Sequence, residues 1–489
     1  MIRSLLTHSL LAATLFSSGA HAQTMQRLIA RIEAAPPENR TAIVDSFLSA
    51  IPAGPLTEQD TLATFLYRGA VSSANVPGDQ NNWNPDGLPM SRISTTDLFA
   101  VTARFPRDAR LDYKFRLNGS TWILDPRNPL QVLGGFGPNS ELRMPGYVPP
   151  PEIVLDPAIP HGQLFDTTIA STNLGNSRPV RVYTPPGYDT SSDSLGIILF
   201  HDGLEYISLA GAENTLDYLI NRKRIRPVIA IFVPPVNRTE EYYSTRRTLF
   251  TAFITQELIP WIDGRFRTRR SAEHRATLGA SYGGHIAIWL GISHPEIFGN
   301  IAGQSSVIPS EAAGIQPGLP LRFYLDMGTF ESALVGPCRE FVALLQSRLY
   351  EAVYREYPEG HSWGSWRAHI DNALELFFPG EALGADRGDL LPPLPGLDQN
   401  FPNPFNPTSS IRFRIEAEGN VNLAVFDLLG REVTVLLDEK MTRGSHEVRF
   451  DARAARHGGH ASAALSSGVY LYRLTVDGQA VTRKMMLLQ

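Results

Sequence analysis

Leu278-Gly279-Ala280-Ser281-Tyr282-Gly283-Gly284 decides how the centre of this chain folds. It reads G-x-S-x-G, between a short apolar run at 276–278 and an apolar helical run at 285–290, which is the strand-turn-helix setting of a nucleophile elbow. A serine in such a turn is forced out at the top of a sheet. Gly279 and Gly283, two places to either side, let the backbone turn without a Cβ clash. Five residues of this kind also describe an ordinary glycine-rich turn, so the weight falls on what surrounds them.

The chain has 489 residues, too many for one ordinary core, and two to four domains are expected. A formal net charge of -5 and the lack of a long basic run point away from nucleic acid and from an acidic membrane surface as partners. Arg3 precedes an apolar stretch at 5–16, and Ala20-His21-Ala22 supplies small residues where a signal peptidase reads, so 1–22 is expected to be a secretory signal. Its apolar run is shorter than the ~20 residues a membrane span needs, and no later stretch qualifies. The single cysteine, Cys338, can form no intrachain disulfide and reads as a packed thiol.

Apolar spacing at Leu28, Ile29, Ile32 and at Ile43, Val44, Phe47, Leu48, broken by Pro36-Pro37, predicts a short helical segment over 23–60. From 61 to 150 the texture changes to short strands and turn clusters, among them Gly78-Asp79-Gln80-Asn81-Asn82-Trp83-Asn84-Pro85, which argues for a β-sandwich. A glycine- and proline-rich connector closes that region. Residues 151–380 alternate near-continuous apolar strands, at 196–200 and 228–233, with helical patterns such as 248–262, as a doubly wound, mostly parallel α/β sheet does.

An α/β-hydrolase orders nucleophile, acid and histidine along the chain, each on a loop after a strand. That order is present. After Ser281, the strand at 321–325 runs into Asp326-Met327-Gly328-Thr329-Phe330-Glu331, and the strand at 353–357 into Pro358-Glu359-Gly360-His361-Ser362-Trp363, ahead of an amphipathic helix at 366–378. His361 would take the Ser281 proton and return it to the leaving alcohol. Glu331, past the Gly328-Thr329 turn, is the preferred acid, with Asp326 the alternative. For the oxyanion, one donor is the Tyr282 amide, and the second is Gly203 or Leu204 in the loop His201-Asp202-Gly203-Leu204-Glu205-Tyr206.

These stretches, with Arg238-Thr239-Glu240-Glu241-Tyr242, resemble the esterase family that includes esterase D, the enterochelin esterases and the feruloyl and acetylxylan esterases of carbohydrate esterase family 1. The resemblance covers 153–379. It implies a Ser-His-acid hydrolase that needs no metal or cofactor, an acid where Glu331 stands, and a substrate cleft to which Arg238, Tyr242 and Trp363 are candidate contributors. For Arg238 and Tyr242 a salt-bridged loop is the competing reading. The region 61–150, with Asp112-Tyr113-Lys114-Phe115 and Trp122 ahead of Asp125-Pro126, resembles the immunoglobulin-like domain of isoamylases and glycogen-binding modules, which precedes the catalytic domain in many enterochelin-type esterases. Trp83 and Trp122 then either stack on sugar or fill the core and seam, and the second reading carries more weight.

Residues 381–397 read as a linker. From 398 to 489, Gln399-Asn400-Phe401-Pro402-Asn403-Pro404-Phe405-Asn406-Pro407, the alternation at 411–415 and 421–427, the turn at 427–433, and Gly468-Val469-Tyr470-Leu471-Tyr472 build a small β-sandwich. This resembles the C-terminal sorting domain of type IX secretion cargo, with an insert at 456–466 that lengthens a surface loop. The resemblance implies the type IX machinery as a partner and a secreted or cell-surface address.

The sequence therefore reads as an α/β-hydrolase flanked by an N-terminal β-sandwich and a small C-terminal one. It is expected to be a secreted serine carboxylesterase acting on small-molecule or polysaccharide esters, with feruloyl and acetyl esters on polysaccharide foremost. The alternatives are an enterochelin-type siderophore esterase and a catalytically idle glycan-binding surface protein.

Overall fold

Two six-residue strands, Gly196–His201 and Val228–Val233, set the centre of the molecule. Every residue of Val228–Val233 is buried, as a strand covered on both faces requires. They pair in parallel, Leu199 opposite Ile231, inside an eight-stranded sheet. In chain order its strands are β1 (Gln163–Ser171), β2 (Asn176–Thr184), β3 (Gly196–His201), β4 (Val228–Val233), β5 (Arg275–Ala280), β6 (Asn300–Gln304), β7 (Arg322–Gly328) and β8 (Glu351–Tyr357). Across the sheet they lie in the order β1-β2-β4-β3-β5-β6-β7-β8. β2 runs antiparallel to both its neighbours, and all pairings from β4 to β8 are parallel.

Because side chains alternate along a strand, β3 feeds two cores. Ile198 and Phe200 join Tyr206, Leu216 and Leu374 on one face, while Ile197 and Leu199 join Phe253, Ile286 and Leu290 on the other. A third cluster packs Phe323 and Leu325 of β7 against Phe341 and Leu345 of the helix Ser332–Ser347, where Cys338 is buried. The loops that leave the carboxyl ends of the parallel strands are the ones available for chemistry.

Two expected helices are subdivided. The pattern at 248–262 becomes Arg247–Ala252, a π-helical stretch Phe253–Leu258, and Ile259–Arg265. Pro260 sits at the start of the last of these, where its missing N–H disturbs the ladder of the preceding turn. The amphipathic stretch after His361 splits into Trp363–Arg367 and Ile370–Phe377.

Ahead of the central sheet, the helices Thr24–Ala34 and Pro37–Ala50 bury Leu28, Ile32 and Val44 against Leu66 and Leu98. The strands from Leu56 to Arg143 form three small antiparallel sheets around Phe65, Tyr113 and Phe115. This β region and the eight-stranded sheet belong to one compact unit ending at Gly380. A second unit follows, in which the antiparallel strands Thr408–Ile415 and Gly444–Asp451, and Gly419–Phe426 between Glu432–Met441 and Gly468–Val476, share a core of Ile411, Phe413, Leu423, Tyr472 and Leu474.

The structure is a computed structural model and describes residues 24–381, 396–415, 418–427, 431–453, 465–476 and 479–488. The expected signal at 1–22, most of the linker at 381–397, part of the turn at 427–433 and most of the insert at 456–466 lie outside the described residues.

Candidate active site

β5 ends at Ala280 and the helix Tyr282–Ser293 begins two residues later. Ser281 alone makes the turn, with φ 57° and ψ -117°, a conformation strained for any residue with a Cβ. Its amide donates to Gln304 O at 2.8 Å, which ties the turn to the end of β6. The flanking glycines are required by close approach: a Cβ on Gly279 would collide with Gly283 O, and one on Gly283 would lie 2.8 Å from Asp202 Oδ2.

Glu331 follows β7 and His361 follows β8, two strands that pair along their whole length. His361 Nδ1 lies 2.6 Å from Glu331 Oε2. The other carboxylate oxygen accepts from Ser305 Oγ at 2.6 Å and from Gly328 N at 2.8 Å. Ser305 Oγ in turn accepts from Trp366 Nε1 at 2.9 Å, and the Trp366 ring meets His361 edge-on with centroids 5.0 Å apart. The Glu331 side chain is only 3% exposed and the His361 side chain 40%, so a buried, hydrogen-bonded carboxylate presents a half-open imidazole. An Nδ1–H donated to Glu331 leaves the Nε2 lone pair free to accept a proton. Among the described residues no hydrogen bond joins Ser281 Oγ to His361, a contact that in many hydrolases tightens only with substrate.

Asp326 lies within β7, accepts from Gln304 Nε2 at 3.2 Å and makes no bond to His361. Burial pushes its pKa up to about 7, against the pull of nearby His369. The amides of Gly203, Leu204 and Tyr282 stand at helix starts and have no acceptor among the described residues. Gly203 is packed so tightly on β4 that a Cβ there would collide with the backbone of Phe232 and Val233.

Arg238 clamps the two loops that carry these amides. Its guanidinium donates to both Asp202 oxygens, at 2.8 and 2.7 Å, and to Ala280 O at 3.0 Å, joining the β3 loop to the serine turn. Burial raises the Asp202 pKa even though Arg238 opposes the shift. Tyr242 is fully buried, and its hydroxyl accepts from Asp202 N at 2.9 Å. It therefore supports the loop from below and has no face for substrate, which corrects its assignment to the cleft. Trp363 is corrected in the same way: it is 8% exposed and packs edge-on against Tyr206 and Trp366. His201 is buried with its pKa lowered to about 3 by desolvation, so it stays neutral, and its Nε2 lies 2.9 Å from Thr277 Oγ1.

Sequence reasoning did not single out Ser305, the bridge between Glu331 and Trp366. A polar Gln304-Ser305-Ser306 run directly after the apolar Ile301-Ala302-Gly303 of a buried strand was the available signal.

The strand order and the elbow define an α/β-hydrolase. Residues 171–377 match the family model described as "Putative esterase", and residues 399–488 match the secretion system C-terminal sorting domain. Among curated proteins, the chain is 25% identical over 234 residues to the uncharacterized protein YjcH of Bacillus subtilis, covering 44% of this chain and 97% of that one. It is 25% identical over 268 residues to the iron(III) enterobactin esterase of Escherichia coli O6:H1, covering 52% and 66%. Among solved structures, the ferric enterobactin esterase of Salmonella typhimurium aligns with a TM-score of 0.60 at 19% identity over 68% of this chain and 98% of that chain. The enterobactin esterase of Shigella flexneri aligns with a TM-score of 0.58 at 21% identity over 68% and 97%. At these identities the structural likeness is one of fold. The protein is a carboxylic ester hydrolase, and its C-terminal sorting domain makes it a secreted or cell-surface one.

Proposed function

We propose that the chain hydrolyses extracellular acyl esters through Ser281, His361 and Glu331. The observation that carries this is the 2.6 Å contact of Glu331 with His361 on loops that leave the same sheet edge as the Ser281 turn. His361 Nε2 accepts the hydroxyl proton as Ser281 Oγ attacks the ester carbonyl. The Tyr282 amide and that of Gly203 or Leu204 take up the oxyanion. The protonated imidazole, held by Glu331, then passes its proton to the leaving alcohol, and water repeats the sequence on the acyl-enzyme.

The extracellular address supports esters found outside the cell, with feruloyl or acetyl groups on polysaccharide as the proposed substrates. The N-terminal β region is proposed as an immunoglobulin-like module of the isoamylase type. Trp122, 42% exposed, has a face open to sugar, whereas the Trp83 indole donates to Asp79 at 3.0 Å. A second reading, a siderophore trilactone as substrate, is favoured by similarity to the iron(III) enterobactin and iron(III) salmochelin esterases. A panel of feruloyl, acetyl-xylan, p-nitrophenyl and catecholate trilactone esters separates the two. Survival of hydrolysis in both Ser281→Ala and His361→Ala would remove the triad.

A further inference from the structure

The loop that carries His361 is seated on the N-terminal β region, and one side chain makes the principal link. Arg110, on the strand Arg110–Tyr113, has a fully buried guanidinium. Its Nη1 donates to Ser362 Oγ at 3.0 Å, its Nε to Glu141 Oε1 at 2.6 Å, and its backbone amide to Pro358 O at 3.2 Å. Nη2 lies 2.6 Å from Asp112 Oδ1, an ion-pair contact without hydrogen-bond alignment. Ser362 is the residue after His361 and the N-cap of the helix Trp363–Arg367.

The fit leaves no slack on either side of the histidine. A Cβ on Gly360 would run into the Asp79 side chain, and one on Gly364 into the Arg110 guanidinium. Asp79 is itself held by the Asp112 amide at 2.8 Å and the Trp83 indole. The acid loop is anchored on the same support: Phe330, adjacent to Glu331, packs within the N-terminal core against Phe105, and its amide donates to Glu359 O at 3.2 Å. Both members of the Glu331–His361 pair thus rest on residues that precede the hydrolase sheet in the chain.

We propose that Arg110 is a positioning residue for His361, and that through it the N-terminal β region completes the catalytic site. An arginine suits the task because its planar fork reaches Glu141, Asp112 and Ser362 in three directions, which a lysine ammonium cannot do with the same geometry. Asp112 and Glu141 compensate its buried charge, so one N–H is free to fix a neutral hydroxyl across the seam. A shift of the imidazole by about 1 Å costs on the order of 10²-fold in rate. Loss of one of its supports is accordingly expected to cost about tenfold.

This inference rests on His361 being the general base, and the test keeps the two claims apart. In the full chain, Ser362→Ala is expected to lower kcat about tenfold, leave KM within about twofold and weaken the low-field imidazole N–H resonance of the Glu331–His361 pair. Ser362→Thr, which restores the hydroxyl, is expected to recover both. Arg110→Lys keeps a cation beside Asp112 and Glu141 and is expected to repeat the kcat defect. Wild-type kcat and an unchanged resonance in folded Ser362→Ala overturn the proposal, with the same result in Arg110→Lys confirming the loss. If Arg110→Lys does not fold, the Ser362 pair decides alone. Activity that survives Ser281→Ala would instead indict the triad and not the brace.

Discussion

The carboxylate of Glu331 is shared between two tasks: Oε2 lies 2.6 Å from His361 Nδ1, while Oε1 takes hydrogen bonds from Ser305 Oγ and Gly328 N. Only one of its oxygens is therefore available to the imidazole, and the other fixes its orientation. Glu331→Gln is expected to lower kcat on a p-nitrophenyl ester by about 10³- to 10⁴-fold, as loss of a triad acid does. Asp326→Asn, on a group turned to Gln304, is expected to stay within about threefold of wild type. The reverse ranking would move the acid to Asp326.

Ser281 holds a strained backbone, and its hydroxyl is the proposed nucleophile. Ser281→Gly is expected to abolish hydrolysis yet raise the unfolding free energy by about 1 kcal/mol, since glycine adopts this φ without a Cβ clash and strain of this kind costs about 1–3 kcal/mol. A lower Tm than wild type in thermal unfolding would show that the turn is not strained.

The Arg238 clamp ties Asp202 to Ala280. Arg238→Met is expected to loosen the free amides of Gly203 and Tyr282 and to lower kcat about 10- to 100-fold, less than the about 10²- to 10³-fold lost with a whole oxyanion donor. Tyr242→Phe leaves the Asp202 amide without its acceptor and is expected to cost about 1–3 kcal/mol in urea unfolding. A kcat for Arg238→Met equal to wild type would reduce the clamp to a packing feature.

Asp326 has a folded pKa of about 7, above that of an unfolded aspartate, because burial disfavours its charge. Below the unfolded value both states are protonated and this group favours the fold fully. That contribution is lost as pH rises from about 4 to about 7, where the unfolded chain releases the proton first. Asp326→Asn is therefore expected to raise Tm more at pH 8 than at pH 4. An equal change at both pH values would contradict the upward shift of the Asp326 pKa by burial.

The fold was legible where the signal is local. An apolar strand, G-x-S-x-G and an apolar helix read in succession yield the elbow, because each depends on neighbours within a few residues. The same locality made Glu331 and His361 candidates, since each sits in a short loop directly after a strand, Arg322–Gly328 for the acid and Glu351–Tyr357 for the histidine. The roles of Tyr242 and Trp363 were not legible. Both are aromatic residues beside reactive loops, and only packing distinguishes a buried support, such as Tyr242 beneath Asp202, from a cleft wall. Ser305 was missed because its partners Glu331 and Trp366 lie far along the chain.

By itself the sequence determined the hydrolase class of the central region, the proposed order of nucleophile, acid and base, and the sorting tail, since strand periodicity and turn chemistry are properties of contiguous residues. Tertiary structure alone decided which carboxylate meets His361 and that Arg110 reaches Ser362 across 252 positions of chain. Those contacts depend on where the carboxyl ends of β7 and β8 come to lie and on the β region packed beneath them, and a one-dimensional pattern carries no distance between them.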